Sequence, residues 1–126
     1  MVAIFAQRLV GGEPVTIDGD GEQSRDFVYV DDVVDAFVRA SARGGGLVCN
    51  IGTGTTTSVN EIYRLLAEAA EVDTPAEYGP PRSGDVRHIS LDPARAAMQL
   101  GWQAWTPLET GLAAVVDFFA ERAAAS

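Results

Sequence analysis

The stretches of this chain that read as strands are short, and helical stretches separate all but the first two in sequence. That alternation limits the fold more than any other feature. Val15-Thr16-Ile17 reads as a strand behind Pro14, and Gly19-Asp20-Gly21 as the turn after it. Phe27-Val28-Tyr29-Val30 reads as a second strand. Leu47 to Ile51 is apolar apart from Asn50, which suits a strand covered on both faces. Ala76-Glu77-Tyr78 is another short candidate. Strands alternating with helices indicate an α/β fold. Strands this short and widely spaced make a poor sheet by themselves.

The helices are marked by their ends. Ala3 to Val10 is helical up to Gly11-Gly12. Asp31 or Asp32 is expected to cap the next helix, whose stripe is Val33, Val34, Phe37, Val38 and Ala40, and Gly44-Gly45-Gly46 is expected to end it. Ser58-Val59-Asn60-Glu61 is a capping box ahead of Ile62, Leu65, Leu66 and Ala69. Asp92-Pro93 and Thr106-Pro107 place a capping side chain before a proline, which suits the first turn of a helix. Gly101 closes the first of these helices, and the second presents Leu112, Val115, Val116 and Phe119.

The 126 residues suit one domain with a real core. The net charge of -9 argues against nucleic acid, which needs a cationic surface. An anionic ligand therefore needs a local cluster of positive groups. All nine basic residues are arginines; the chain has no lysine. Cys49 is the only cysteine, expected to be a buried, inert thiol, and it fits a reducing, cytoplasmic setting. No apolar run reaches the length of a membrane span, and the first residues lack the order of a signal peptide.

Some segments carry chemistry. Pro80-Pro81-Arg82-Ser83-Gly84-Asp85-Val86-Arg87 holds two arginines in a stiffened loop. It is either a solvated surface loop or a phosphate grip, because guanidinium forks match phosphate oxygens. Arg25 enters a strand expected to be buried and so needs an anion, either Asp26, another carboxylate or a ligand phosphate. Asn50-Ile51-Gly52-Thr53-Gly54 runs strand, glycine turn, helix, which is a weak phosphate-cradle signal and more often a plain turn. His88 is the only histidine and has no second ligand near it for a metal. No hydrolase or catalytic-cysteine pattern is present, so no catalytic residue is assigned. Trp102 and Trp105 suit packing roles.

The stretch from Gly19 through Arg25-Asp26-Phe27-Val28-Tyr29-Val30-Asp31-Asp32-Val33 closely resembles a hallmark segment of the extended short-chain dehydrogenase/reductase family. That family includes the NAD-dependent nucleotide-sugar epimerases and dehydratases. The resemblance continues through Asn50-Ile51-Gly52-Thr53-Gly54, Ser58 to Glu61, Pro80 to Val86, Leu100-Gly101-Trp102-Gln103 and Thr106 to Leu112. It implies the carboxyl-terminal, substrate-binding portion of an extended Rossmann-type fold, with a few short strands and about five helices. Residues 1–126 would form one nucleotide-sugar-binding domain, and the NAD-binding Rossmann domain would not be among them.

The resemblance also implies roles. Arg25 and Arg82 would hold the diphosphate of a UDP- or dTDP-sugar, and Asp85 would approach the ribose. Asn50 would line the nucleotide site, and Val15 and Thr16 would pack against the base. Family members often carry an aromatic residue before Gly-Asp-Gly, where this chain has Asp18, an anion that would weaken binding or change nucleotide preference. The family's Tyr-x-x-x-Lys pair cannot exist in a chain without lysine. The implied activity is that of a UDP-glucose 4-epimerase-like enzyme that is not competent as these residues alone, with NAD expected in the complete enzyme and not on this chain by itself. The alternatives are a non-catalytic binding or self-associating module, or one half of a split enzyme. Leu47–Ile51 and the Val33–Val38 stripe would lie exposed, so a homo-oligomer or a complementary Rossmann domain is expected to cover them.

Overall fold

Ser58 marks the start of one helix and Gly101 the end of another. In the computed structural model, which describes residues 1–43 and 45–126, the order is α1 (Val2–Val10), β1 (Thr16–Asp18), β2 (Ser24–Arg25), α2 (Val30–Arg43), β3 (Thr57–Ser58), α3 (Val59–Ala69), β4 (Glu77–Gly79), α4 (Ala94–Leu100) and α5 (Leu108–Ala125). The α/β reading with short strands and five helices therefore holds among the described residues. Gly44, expected to help end α2, lies outside them.

The chain divides into two compact units. The first comprises Met1–Gln23, Ser58–Arg87 and Glu109–Ser126. Here α1 packs on α3, and β1 pairs parallel with β4, placing Thr16 opposite Glu77, Ile17 opposite Tyr78 and Asp18 opposite Gly79. Phe5, Leu9, Val15, Ile17, Ile62, Leu66, Leu112 and Val116 are buried. The Phe5 and Tyr63 rings meet edge to face at 6.3 Å. Ser58 caps α3 by accepting the Glu61 amide at 3.1 Å. Glu61 turns its carboxylate to Arg64, at 2.6 Å. The buried stripe of α3 ends on Ala67, and Ala69 is exposed.

The second unit comprises Ser24–Thr57 and His88–Leu108. Its α2 packs on α4 around Ala36, Ala96, Leu100 and Trp102. Trp102 is fully buried, and its indole N–H donates to the Asp32 carbonyl at 2.7 Å. Asp92 accepts the Ala94 amide at 3.0 Å, and Gly101 ends α4 at φ 62°. Arg39 reaches from α2 to the carbonyls of Leu100 and Gly101, at 3.3 and 2.8 Å, satisfying acceptors that the helix end leaves open.

Several expectations fail in this unit. Phe27–Tyr29 is not a strand: the Tyr29 carbonyl accepts the amides of Asp32 and Val33, which begins α2. Neither Asp31 nor Asp32 acts as the expected cap; Asp32 is buried and serves a distant loop. Leu47–Ile51 is irregular and not a strand covered on both faces, with Val48 79% exposed. A strand needs a neighbour to take its amides and carbonyls. The Val48 carbonyl instead takes the Arg95 guanidinium, at 3.0 Å. Cys49 is half-buried against the Trp102 cluster rather than fully buried.

Candidate functional site

In the first unit, β1, the turn after it and the Pro80–Arg87 loop enclose a pocket of about 440 Å³. Asp18, Gly19, Asp20, Gln23, Arg82, Asp85 and Arg87 line it. Parallel pairing explains the placement, because β1 and β4 run in the same direction and end together at Asp18 and Gly79. The turn after one and the loop after the other therefore leave from the same sheet end. Gly19 lies at φ 77° and Gly21 at φ 76°, in left-handed territory. A Cβ on Gly21 would stand 2.0 Å from Asn60 Oδ1. Asn60 locks that turn by donating to the Asp20 carbonyl at 3.0 Å and to Glu22 at 2.6 Å, while the Tyr78 hydroxyl donates to it at 2.7 Å. Reading the sequence placed Asn60 only in a capping box; its role shows no local pattern.

The pocket pairs arginines with carboxylates. Arg82 Nε lies 3.2 Å from Asp18 Oδ2, with both side chains well exposed. Arg87 grips Asp20 through two parallel bonds of 2.9 Å each. The Arg87 fork, joined by the Glu22 amide, holds the Asp20 carboxyl down to about 2. Asp85 is exposed on the same loop, and its amide donates to the Arg82 carbonyl at 3.4 Å. The Val15 side chain is buried in the core, whereas Thr16 is exposed. Arg82, Asp85, Val15 and Thr16 thus belong to one unit, and Arg25 and Asn50 to the other.

In the second unit Arg25 is half-buried and donates to the Ser24 carbonyl at 2.8 Å. Asn50 is exposed. Asp26 accepts the Thr53 amide at 2.9 Å, the Gly54 amide at 3.0 Å and the Thr53 hydroxyl at 2.6 Å. The Leu91 amide adds a longer bond of 3.3 Å. Partial burial pushes the Asp26 carboxyl up, but these donors outweigh it and hold it below the usual range. Gly52 has to be glycine, since a Cβ there would stand 2.8 Å from both Asp26 Oδ2 and Leu91 Cβ.

Those bonds settle the glycine segment. Its amides are the donors a phosphate would use, and a carboxylate of the same chain holds them. No step through NAD is assigned to these residues. Ser24, buried on β2, lies with its Oγ 2.7 Å from His88 Nδ1, and the Ile89 amide donates to its carbonyl at 3.1 Å. His88 therefore secures a loop. Among the described residues no acidic, histidine or cysteine cluster could hold a metal, and no helix is long and apolar enough to cross a membrane.

Residues 1–52 match the model of the NAD dependent epimerase/dehydratase family. The chain is 48% identical over 120 residues to UDP-glucose 4-epimerase of Mycolicibacterium smegmatis, covering 94% of this chain and 38% of that protein. It is 36% identical over 121 residues to dTDP-glucose 4,6-dehydratase of Streptomyces griseus, covering 94% of this chain and 37% of that one. Its structure superposes with a TM-score of 0.94, at 48% identity, on UDP-glucose 4-epimerase of Thermotoga maritima solved with UDP-glucose, covering 97% of this chain and 40% of that one. The chain therefore spans about two fifths of the length of these relatives. On this agreement of sequence and fold, the chain belongs to the NAD-dependent epimerase/dehydratase family as a partial extended short-chain dehydrogenase/reductase.

Proposed function

We propose that this chain is the nucleotide-sugar-binding portion of an NAD-dependent nucleotide-sugar epimerase of the UDP-glucose 4-epimerase kind, and that residues 1–126 act as one such binding domain. The pocket of the first unit carries the reading, with Arg82 exposed beside Asp85 in a stiff loop. In a chain of net charge -9, an anion needs such a local positive group. Arg82 binds the diphosphate as a charged fork. Asp85 accepts from a ribose hydroxyl, and the backbone around Val15 with Thr16 flanks the base. For the second unit the proposal rests on the resemblance: Arg25 is a further phosphate ligand and Asn50 a nucleotide contact. The UDP-glucose in the Thermotoga maritima structure supports a UDP-sugar. A dTDP-sugar is the second choice, supported by the likeness to the Streptomyces griseus dehydratase.

These residues bind and orient. Without lysine they hold no Tyr-x-x-x-Lys pair, and the hydride and proton transfers are assigned to residues outside these 126. We also propose that the apolar face of the second unit is covered by a second copy or by a complementary Rossmann domain, in a cytoplasmic enzyme. The test is a titration of the chain with UDP, UDP-glucose and NAD, together with an epimerase assay supplied with NAD. Binding of UDP and UDP-glucose, without NAD binding or turnover, is the expected result. Turnover by these residues, or no binding of either nucleotide, overturns the reading.

A further inference from the structure

Asp18 closes β1 opposite Gly79 and so stands where the pocket opens. Its carboxylate lies on the Nε side of Arg82, at 3.2 Å. Carboxylate and phosphate oxygens seek the same guanidinium donors in the same geometry. Beside it, Asp20 occupies the fork of Arg87 at 2.9 Å. The two carboxylates differ in hold. Asp20 grips through two bonds, whereas Asp18 touches Arg82 through one longer contact, with side-chain exposures of 45% and 79%. Arg82 is therefore the arginine that a ligand can take over, and Arg87 is the one that shapes the turn.

We propose that Asp18 is an internal competitor for Arg82: it closes that guanidinium in the free chain, and it selects against ligands with an extra phosphate charge. The proposal rests on the reading of this pocket as a diphosphate site. An exposed ion pair is weak, so a diphosphate displaces Asp18 at small cost. Pairing of β1 keeps the Asp18 backbone at the pocket mouth when its carboxylate is displaced, so the charge stays within a side chain's length of the phosphates. It then faces the phosphates and repels them. UDP ends in a phosphate monoester and carries more negative charge near neutral pH than a UDP-sugar, whose terminal phosphate is esterified. Repulsion by Asp18 therefore falls harder on free UDP. A binding domain built this way holds the sugar nucleotide while admitting the bare nucleotide less readily.

Calorimetric titration at low salt tests this on the 126-residue chain and its D18N, D18S, R82A and D18N/R82A variants, with UDP and UDP-glucose. D18N and D18S are expected to bind UDP about threefold to tenfold more tightly than wild type, with a smaller gain for UDP-glucose. The gain is expected to be smaller on the R82A background, where competition for the guanidinium is gone and only the repulsion of the phosphates by Asp18 remains. Unchanged affinity in both Asp18 variants, while R82A weakens binding, overturns the inference and leaves the diphosphate reading standing. A gain undiminished in D18N/R82A, or one equal for both ligands, also overturns it. Equal affinity of R82A and wild type overturns the reading and the inference together.

Discussion

The Asp26 carboxylate holds Thr53 by both its amide and its hydroxyl, at 2.9 and 2.6 Å. With the Gly54 amide it folds the Gly52–Thr55 segment around an internal anion, so the turn serves structure rather than a ligand phosphate. Asp32 does the same for a second loop, taking the Trp105 and Thr106 amides at 2.9 Å each and the Thr106 hydroxyl at 2.6 Å. Each carboxylate satisfies backbone donors that would otherwise lack partners.

Replacing Asp26 by alanine leaves the Thr53 and Gly54 amides without their acceptor and is expected to cost about 1–3 kcal/mol of stability. Denaturant melts read it. Burial raises both the Asp26 and the Asp32 carboxyl, but the hydrogen bonds, led by the Thr53 and Thr106 side chains, hold both below the ordinary carboxylate value. Both groups thus release protons more readily folded than unfolded. Their stabilisation is complete above the unfolded pKa of about 4 and is lost as pH falls through the depressed native values. The D26N variant is expected to lose less stability on acidification than wild type. Parallel loss of stability in both proteins below pH ~4 would contradict the assignment.

Gly21→Ala tests the turn that shapes the pocket. The new methyl meets Asn60, and the residue must hold φ 76°. A cost of about 1–3 kcal/mol is expected from strain and from displacing Asn60. Gly45→Ala, where a Cβ meets nothing within 4 Å, is the control and should change little. Equal melting of the two variants would show that the turn adapts without loss.

The second unit leaves Phe37 73% and Val48 79% exposed, with Val34, Val38 and Leu47 exposed beside them in sequence. Apolar surface of this kind favours association. Light scattering at micromolar concentration is expected to report a mass above that of a single chain, and Phe37→Glu to lower it. A monomer mass across a wide dilution range, with a cooperative melt, would rule out self-association.

Helix positions were legible in the sequence because their signals are local. Ser58 and Gly101 act where the sequence puts them, whereas Pro93 and not Asp92 stands at the N-cap of α4, with Asp92 taking the Ala94 amide from one residue further out. Phe27–Val30 and Leu47–Ile51 do not form the strands their composition suggests, because an apolar run predicts burial without supplying a neighbour to pair with. The site was half legible. Arg82 and Asp85 stand in a recognisable loop, but the partners that set their behaviour lie far off in sequence, Asp18 on Arg82 and Asp20 on Arg87. The sequence offers Asp26 as one candidate partner for Arg25, and Asp31 or Asp32 as a helix cap. Only the fold shows which distant amides Asp26 and Asp32 face.

The central claim is that Arg82 binds the diphosphate of a nucleotide-sugar, and calorimetric titration of UDP-glucose into wild type and Arg82→Ala at low salt tests it most directly. A charge-assisted contact is worth about 1.5–3 kcal/mol. The account therefore predicts that affinity falls by about tenfold or more in the variant. Equal affinity in the two proteins would contradict it.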